Sequence, residues 1–513
     1  ITGALFSGAV HDAFFVWDDH NLIINNAVIK SLRNIPSLFH PAYWKYRHLG
    51  GKGQYRPVRT ATFALDYRLW GLNASGYYLT NVLLHILNAL LVYIGSLVIY
   101  HKGGGREKGF IVAAFFGALL FAAHPTHVEN IAWIKNRSDM LALLFLTGGL
   151  LFFMRQRLTA YFAALFLYLV SILSKETGII LPLILALYIA LYVPREARKA
   201  HLLKTLPFFA IGALYLLFKA LVLGSFFSGR KSAAIELGHH IPLVIKTVGR
   251  YLRLLAAPFD FNVERTIQIP TTLLEPAVVL ALLCIIAGLV AAWFLYKRGH
   301  KGMLFLLAWI GITLLPASNI VFIADRPIAE QRLYGPSAGF CLALSVLLYL
   351  LFRGGGVGQA TRVRRFCAGA LAVTLFASYS VATVRRTADW KDPVRLWQKT
   401  IQANPESETA YFNLANEYMA REQYAEAIPY YEKAAAMDSE RPDVYNNLGV
   451  VYTRSGRADA AAALYQRAID IDPTYTQASI NLGLYYGELG ELERAEATYK
   501  RALVSNPYSA EVH

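Results

Sequence analysis

The sequence predicts an all-α protein: a polytopic bundle of about eleven membrane-crossing helices, residues 1–385, followed by a soluble α-solenoid of helical repeats, residues 386–513. Three observations carry this. First, 56% of the 513 residues are hydrophobic and only 16% charged, against about 25% charged in soluble proteins. Second, apolar runs such as 77–100, 272–296 and 334–352 have lengths that suit a bilayer crossing. Third, the last part of the chain repeats itself every 34 residues.

The net charge of +16 is unevenly shared. Residues 386–513 hold 13 Lys and Arg against 19 Asp and Glu, a net of −6, and residues 1–385 hold 37 against 15, a net of +22. Basic residues collect at the ends of membrane helices on the cytoplasmic side and face anionic lipid. The excess of cations therefore points to a membrane and not to nucleic acid. Cys284, Cys341 and Cys367 lie in or beside apolar segments without a CxxC pair, which indicates neither a disulfide framework nor a zinc site.

Short basic loops alternate with longer segments. Lys102, Arg106 and Lys108 mark one basic loop, and Arg155 and Arg157 the next. Arg195 to Lys204, Lys297 to Lys301 and Arg362 to Arg365 complete the cytoplasmic set. The crossings are then 77–100, 110–123, 139–154, 158–173, 176–193, 206–223, 273–296, 303–315, 333–352 and 366–384. The stretch 1–10 reads as the tail of a further crossing or as the end of a signal peptide. Segment 241–257 is apolar but carries Pro242, Lys246, Arg250 and Arg253, and reads as a re-entrant or interfacial helix with snorkelling cations.

In the C-terminal part, Leu414, Leu448 and Leu482 share one phase, as do Tyr418, Tyr452 and Tyr486. Ala427, Ala461 and Ala495 share another, followed by Tyr431, Tyr465 and Tyr499 and by Ala434, Ala468 and Ala502. Small residues where two helices cross, with aromatics around them, are the tetratricopeptide signature. Residues 386–403, with Trp390 and Trp397, read as a leading helix. Such arrays bind polypeptide on a concave face; the plainer alternative is that this one only stiffens or dimerises the protein.

The loops opposite the basic ones hold the residues able to do chemistry. The first contains Trp17, Asp18 and Asp19, followed by Tyr55, Arg56 and Pro57. Two adjacent acids at a bilayer surface suit a general base, although a helix cap would look the same. Asn81 and His85 sit inside an apolar run, where polar residues are functional hypotheses by default. The second loop offers His124, His127 and Glu129, then Arg137 and Asp139. A divalent metal on His124, His127 and Glu129 is chemically conceivable, but the spacing is not that of a metalloprotease helix and Pro125 interrupts it. No cofactor is implied. Lys175, Glu176, Arg326 and Arg332 complete the face, and Arg and Lys clamp phosphate. Acids, histidines and fixed cations gathered at a membrane surface suit group transfer from a lipid phosphate. A secondary transporter would need symmetric halves, which the sequence lacks.

This order of motifs resembles the transmembrane-and-tetratricopeptide protein O-mannosyltransferases, within the GT-C class of lipid-sugar-dependent membrane glycosyltransferases. The resemblance rests on Trp17-Asp18-Asp19, Tyr55-Arg56-Pro57, Asn81 with His85, His124-Pro125 with Glu129, and Arg137 with Asp139. It extends through Ser174-Lys175-Glu176, Arg332 with Tyr334 and Pro336, and the repeats. It implies a polyprenyl- or dolichyl-phosphate sugar donor, with inverting transfer to Ser or Thr hydroxyls of a polypeptide bound by the repeats. It also implies Asp18, Asp19 and Glu129 as catalytic acids, with donor phosphate at Lys175, Arg326, Arg332 or Arg56. His124, His127, Tyr55, Asn81 and His85 would orient or support the substrates. The economy of three repeats looks bacterial and implies an inner-membrane protein with its active site and repeats in the periplasm. Two other readings remain: a related enzyme acting on a lipid or glycan, and a non-enzymatic assembly protein whose repeats form a docking arm.

Overall fold

The computed structural model describes residues 2–11, 15, 19–45, 55–102, 108–223, 237–259, 261–320, 326–352 and 359–505. All regular structure in them is helical apart from isolated bridges. The chain divides into two compact units. One comprises Ile1–Phe261 and Ile267–Lys391, the other Asn262–Thr266 and Asp392–His513. The sequence boundary at 385 falls inside a helix that runs unbroken over Gln359–Asp389.

In the first unit, five described helices are long and apolar enough to cross a membrane: Ala74–Lys102, Arg195–Val222, Pro276–Lys297, Glu330–Leu350 and Arg362–Asp389. The pair Gly109–Ala122 and Pro125–Ala132, bent by 45°, makes a sixth if counted as one span. This is fewer than the eleven expected. The physical reason is helix length. Runs read as crossings fold as shorter helices, such as Arg137–Phe153, Leu158–Ser174 and Lys301–Leu314, with 17, 17 and 14 residues. At 1.5 Å per residue these reach about 21–26 Å, short of a hydrocarbon core of about 30 Å. Leu237–Ala256 is not among the spans, and its Lys246 pairs with Glu275.

Burial separates lipid-facing from packed helices. In Pro276–Lys297 only 11% of the apolar window is buried, and Leu280, Leu283, Leu289 and Trp293 are exposed. Water would not tolerate so large an apolar surface, whereas lipid tails do. Ala74–Lys102 instead turns a stripe of Asn81, His85 and Asn88 inward, at helical spacing. The Asn88 amide donates to the Met140 carbonyl at 3.1 Å. The Lys108–Ala122 helix approaches Tyr334–Phe352 closely at Gly117, where a Cβ would lie 3.0 Å from Leu342 Cα.

In the second unit, Asp392 caps the Pro393–Ala403 helix by accepting from the Val394 amide at 3.1 Å, with Pro393 at the first helical position. Helix pairs follow at Glu408–Ala420 with Tyr424–Met437, Pro442–Arg454 with Ala458–Ile471, and Thr476–Glu488 with Leu492–Ser505. Ala427, Ala434, Ala461, Ala468, Ala495 and Ala502 are buried, with Leu414, Leu448 and Leu482. The inter-helix turn needs one left-handed residue per repeat: Glu422 at φ 59°, Gly456 at 77° and Gly490 at 77°. A side chain in that conformation costs roughly 1–2 kcal/mol, partly offset in glycine by its greater unfolded-state entropy. Glu422→Gly should therefore stabilise the repeat unit by about 0.5–1 kcal/mol. Slower limited proteolysis of the repeats in the full chain would show this, and faster cleavage would contradict it.

Candidate active site

The ends of several helices meet around Arg137, the first residue of the Arg137–Phe153 helix. Its fully buried guanidinium donates Nε to Asn81 Oδ1 at 2.7 Å, Nη1 to Thr62 Oγ1 at 3.2 Å and Nη2 to the Tyr77 carbonyl at 3.0 Å. It also pairs with Asp66 at 2.5 Å, and the Thr80 hydroxyl donates to Asp66 at 2.8 Å. One planar fork thus joins Pro57–Trp70, Ala74–Lys102 and Arg137–Phe153. Asn81 serves this junction and donates its amide to the Ile131 carbonyl at 3.1 Å.

Two residues further on, both Asp139 oxygens accept from Lys175 Nζ at 2.7 Å. Lys175 lies at the break after Leu158–Ser174, in extended backbone. Burial pulls its ammonium below the ordinary lysine range, and Asp139 opposes that pull. Next to it Glu176 accepts from Arg56, at 2.8 Å from Nη2 and 3.3 Å from Nε. Burial works against the Arg56 charge, but Glu176 outweighs it and holds the guanidinium above its ordinary range. The Tyr55 hydroxyl donates to the Phe39 carbonyl at 2.8 Å, which fixes the backbone that carries Arg56.

A second group forms where the first and second loops meet. Asp19 is fully buried, and its Oδ1 accepts from the Lys135 amide at 3.0 Å. Asp18 lies outside the described residues. Lys135 Nζ and Arg326 Cζ lie 5.0 and 5.3 Å from the Trp133 ring centroid. Glu129 is fully buried: Oε1 accepts from Arg326 at 2.8 Å and Oε2 from the Gln331 amide at 3.1 Å. Both carboxylate oxygens therefore hold the later loop against the second. Arg332 donates Nη1 to the Pro327 carbonyl at 2.9 Å and Nη2 to the Arg326 carbonyl at 2.6 Å, so its fork shapes that same loop. The two groups adjoin through the Arg137 turn, because Arg137 interacts electrostatically with Asp19.

The three histidines cluster beneath. His85 Nδ1 lies 2.8 Å from the Tyr334 hydroxyl and Nε2 3.1 Å from the Ala122 carbonyl. His124 Nδ1 meets Thr126 Oγ1 at 2.8 Å and Nε2 the Leu255 carbonyl at 3.2 Å. His127 Nε2 meets Ser337 Oγ at 2.7 Å. The His127 ring lies 5.0 Å from His85 and 5.5 Å from His124, centroid to centroid. All three are fully buried and hold the bent Gly109–Ala122 and Pro125–Ala132 pair to its neighbours. Among the described residues no three His, Cys, Asp or Glu side chains are grouped as metal ligands would be.

Arg137 and Asp139, which the sequence places in the second loop without a role, lie at the centre of these clusters. Asp66 and Lys219 also lie in them, and their only signal in the sequence is a charge in or beside an apolar run.

Tetratricopeptide repeat models match residues 412–476 and 452–513. A protein O-mannosyl-transferase of Caenorhabditis elegans is 28% identical over 417 residues, covering 78% of this chain and 56% of that protein. The protein O-mannosyl-transferase TMTC4 of Homo sapiens is 26% identical over 478 residues, covering 82% of this chain and 63% of that protein. The chain thus spans less than two thirds of the length of these relatives. Among solved structures, the crystal structure of MamA is 22% identical over 31% of this chain and 99% of its own, with a TM-score of 0.24, too low to bear on the fold.

Proposed function

From the premise that the chain matches the tetratricopeptide-bearing protein O-mannosyl-transferases at the family level, we propose that it is a GT-C membrane glycosyltransferase moving mannose from a polyprenyl-phosphate donor to Ser or Thr hydroxyls. The observation that carries this reading is a fixed, buried carboxylate, Asp19, linked through Arg137 to the turn that also holds the Asp139–Lys175 pair, with Arg56 paired to the neighbouring Glu176.

In this mechanism Asp19, or its neighbour Asp18, accepts the proton of the acceptor hydroxyl. The freed oxygen attacks the anomeric carbon from the side opposite the phosphate. The bond from that carbon to the phosphate oxygen breaks, its electrons leave with the lipid phosphate, and the centre inverts. The donor phosphodiester carries one negative charge and the leaving phosphate gains a second. Cations therefore favour the transition state over the ground state. Arg56 and Lys175 are the groups proposed to meet that charge, because each is held by a carboxylate and keeps donors to spare. Arg326 flanks the Asp19 side, while Arg332 and Glu129 keep the loop in shape. Tyr55, Asn81, His85, His124 and His127 act as supports rather than substrate contacts. The repeats bind the polypeptide acceptor and raise its effective concentration by tethering.

The 17-residue apolar helices, at the lower limit for a crossing, are taken to complete the bundle toward eleven. The reaction is assigned to the periplasmic face of a bacterial inner membrane, where the first-loop acids and the repeats would meet the acceptor.

The test is the full chain in liposomes with labelled polyprenyl-phosphate mannose and three separate acceptors: a Ser/Thr-rich peptide, a lipid and a glycan. Label is expected on the peptide hydroxyls with inverted configuration. Label found only on the lipid or glycan would redirect the assignment to the related enzyme class.

A further inference from the structure

Lys219 lies just before the last turn of the Leu206–Leu223 helix. One turn earlier, the Tyr215 hydroxyl donates to the Tyr55 carbonyl at 3.5 Å, and the Phe218 ring lies 5.1 Å from the Tyr55 ring. These contacts set the helix end against Arg56. The Lys219 ammonium interacts electrostatically with both Arg56 and Glu176. Lys219 is only 1% exposed, and its Nζ has no hydrogen-bond partner among the described residues.

Among the described residues the charges there do not balance. Arg56 pairs with Glu176 and Lys175 with Asp139, which leaves Lys219 as a third cation. Glu176 attracts Lys219 at a distance, but it accepts from Arg56 and no hydrogen bond joins it to Lys219 Nζ. A buried ammonium without a hydrogen-bonded partner is strongly unfavourable, and such groups inside membrane proteins mark ligand sites. The cluster is also reachable: the Glu176 side chain keeps 27% exposure, so one edge opens outward.

We infer that Lys219 is a phosphate-binding residue which, with Arg56 and Lys175, receives the phosphate of the lipid-linked donor and retains it as the lipid phosphate leaves. The inference rests on the polyprenyl-phosphate donor proposed above. The surplus positive charge among the described residues pairs with the phosphodiester of the donor and attracts the dianionic product more strongly. Polyprenyl phosphate should therefore bind more tightly than the donor.

The test titrates three probes against the full chain in nanodiscs: polyprenyl phosphate, unphosphorylated polyprenol and inorganic phosphate. Lys219→Met should weaken polyprenyl phosphate binding about ten- to a hundredfold, raise the donor KM similarly and leave polyprenol binding unchanged. Lys219→Arg should stay within a few-fold of wild type. Equal polyprenyl phosphate binding by wild type and folded Lys219→Met would overturn the inference. So would inorganic phosphate binding as tightly as the lipid form with the same dependence on Lys219, since the site would then serve free phosphate. If neither Lys219→Met nor Lys219→Gln folds, the ammonium is a structural charge and the inference falls. A wild type that binds polyprenyl phosphate through Lys219 yet transfers no sugar would refute the transferase reading and leave the anion site standing. Sugar transfer with a donor KM indifferent to Lys219→Met would do the reverse.

Discussion

Asp19→Asn should lower the rate of sugar transfer by roughly 10²–10⁴-fold while leaving polyprenyl phosphate binding and thermal stability close to wild type. The amide keeps the size of the carboxylate, and its oxygen still accepts from the Lys135 amide, a bond of 3.0 Å in the native protein. The capacity to take a proton is lost. The separation of kcat from binding matters because Asp19 is fully buried and held by the second loop. If it were only a loop anchor, the substitution would lower stability and activity together. Asp18→Asn is the companion variant, and whichever of the two shows the larger fall in kcat is the base. Full activity of the double variant would remove the catalytic role from this pair.

The largest effect on folding is expected at Arg137. Arg137→Met leaves Asp66 buried without its cation and leaves Asn81 Oδ1 and the Tyr77 carbonyl without their donor. Breaking a buried ion pair from one side costs about 3–5 kcal/mol, comparable with the whole stability of many domains. Little folded protein should survive detergent extraction, as read by monodisperse yield and the melting temperature. Adding Asp66→Asn removes the stranded charge and should recover part of the loss. A near-normal melting temperature for Arg137→Met would contradict the view that this side chain joins three helices. Arg137 and Asp19 thus make opposite predictions, stability lost at the first and catalysis lost at the second, although the two interact in the same site.

How far the sequence foretold these features depends on the range of the interaction. The repeats were legible because their contacts recur at one spacing. Leu448 and Leu482 are buried because their neighbours are the same residues one repeat away. Apolar runs identified the membrane unit, but composition does not register helix length. It could not show that Pro125 sits at a 45° bend, or that the backbone turns extended at Lys175, directly after Leu158–Ser174. The site was legible only as polar residues in apolar surroundings. Its pairings span long stretches of chain: 120 residues from Arg56 to Glu176 and 197 from Glu129 to Arg326. No local pattern encodes such partners. Hence Glu129 and Arg332 read from sequence as a catalytic acid and a phosphate ligand, whereas in the fold their donors and acceptors are engaged with the loop. Lys219 was hidden for the opposite reason: a single lysine near the end of an apolar run looks like a snorkelling helix terminus until its neighbours are known.

The two charge groups also divide the labour of the proposed reaction in a physically sensible way. Proton removal needs a fixed carboxylate, while departure of the lipid phosphate needs several cations together. Asp19 accepts from a backbone amide, and the cations Arg56, Lys175 and Lys219 collect on the other flank. The Arg137 junction holds the flanks in a fixed relation, as an in-line displacement requires.

In the proposed reaction, this membrane unit couples loss of a lipid phosphate to gain of a sugar by a polypeptide. The direct measurement quantifies both products in one reaction, with the full chain in liposomes, polyprenyl-phosphate mannose and a Ser/Thr-rich polypeptide. Free polyprenyl phosphate is quantified by chromatography and hexose on the polypeptide by mass spectrometry. The two are expected in equal amounts, both dependent on the first-loop acids. Polyprenyl phosphate released without hexose on the polypeptide, or hexose gained equally by the Asp18 and Asp19 double variant, would contradict that coupling.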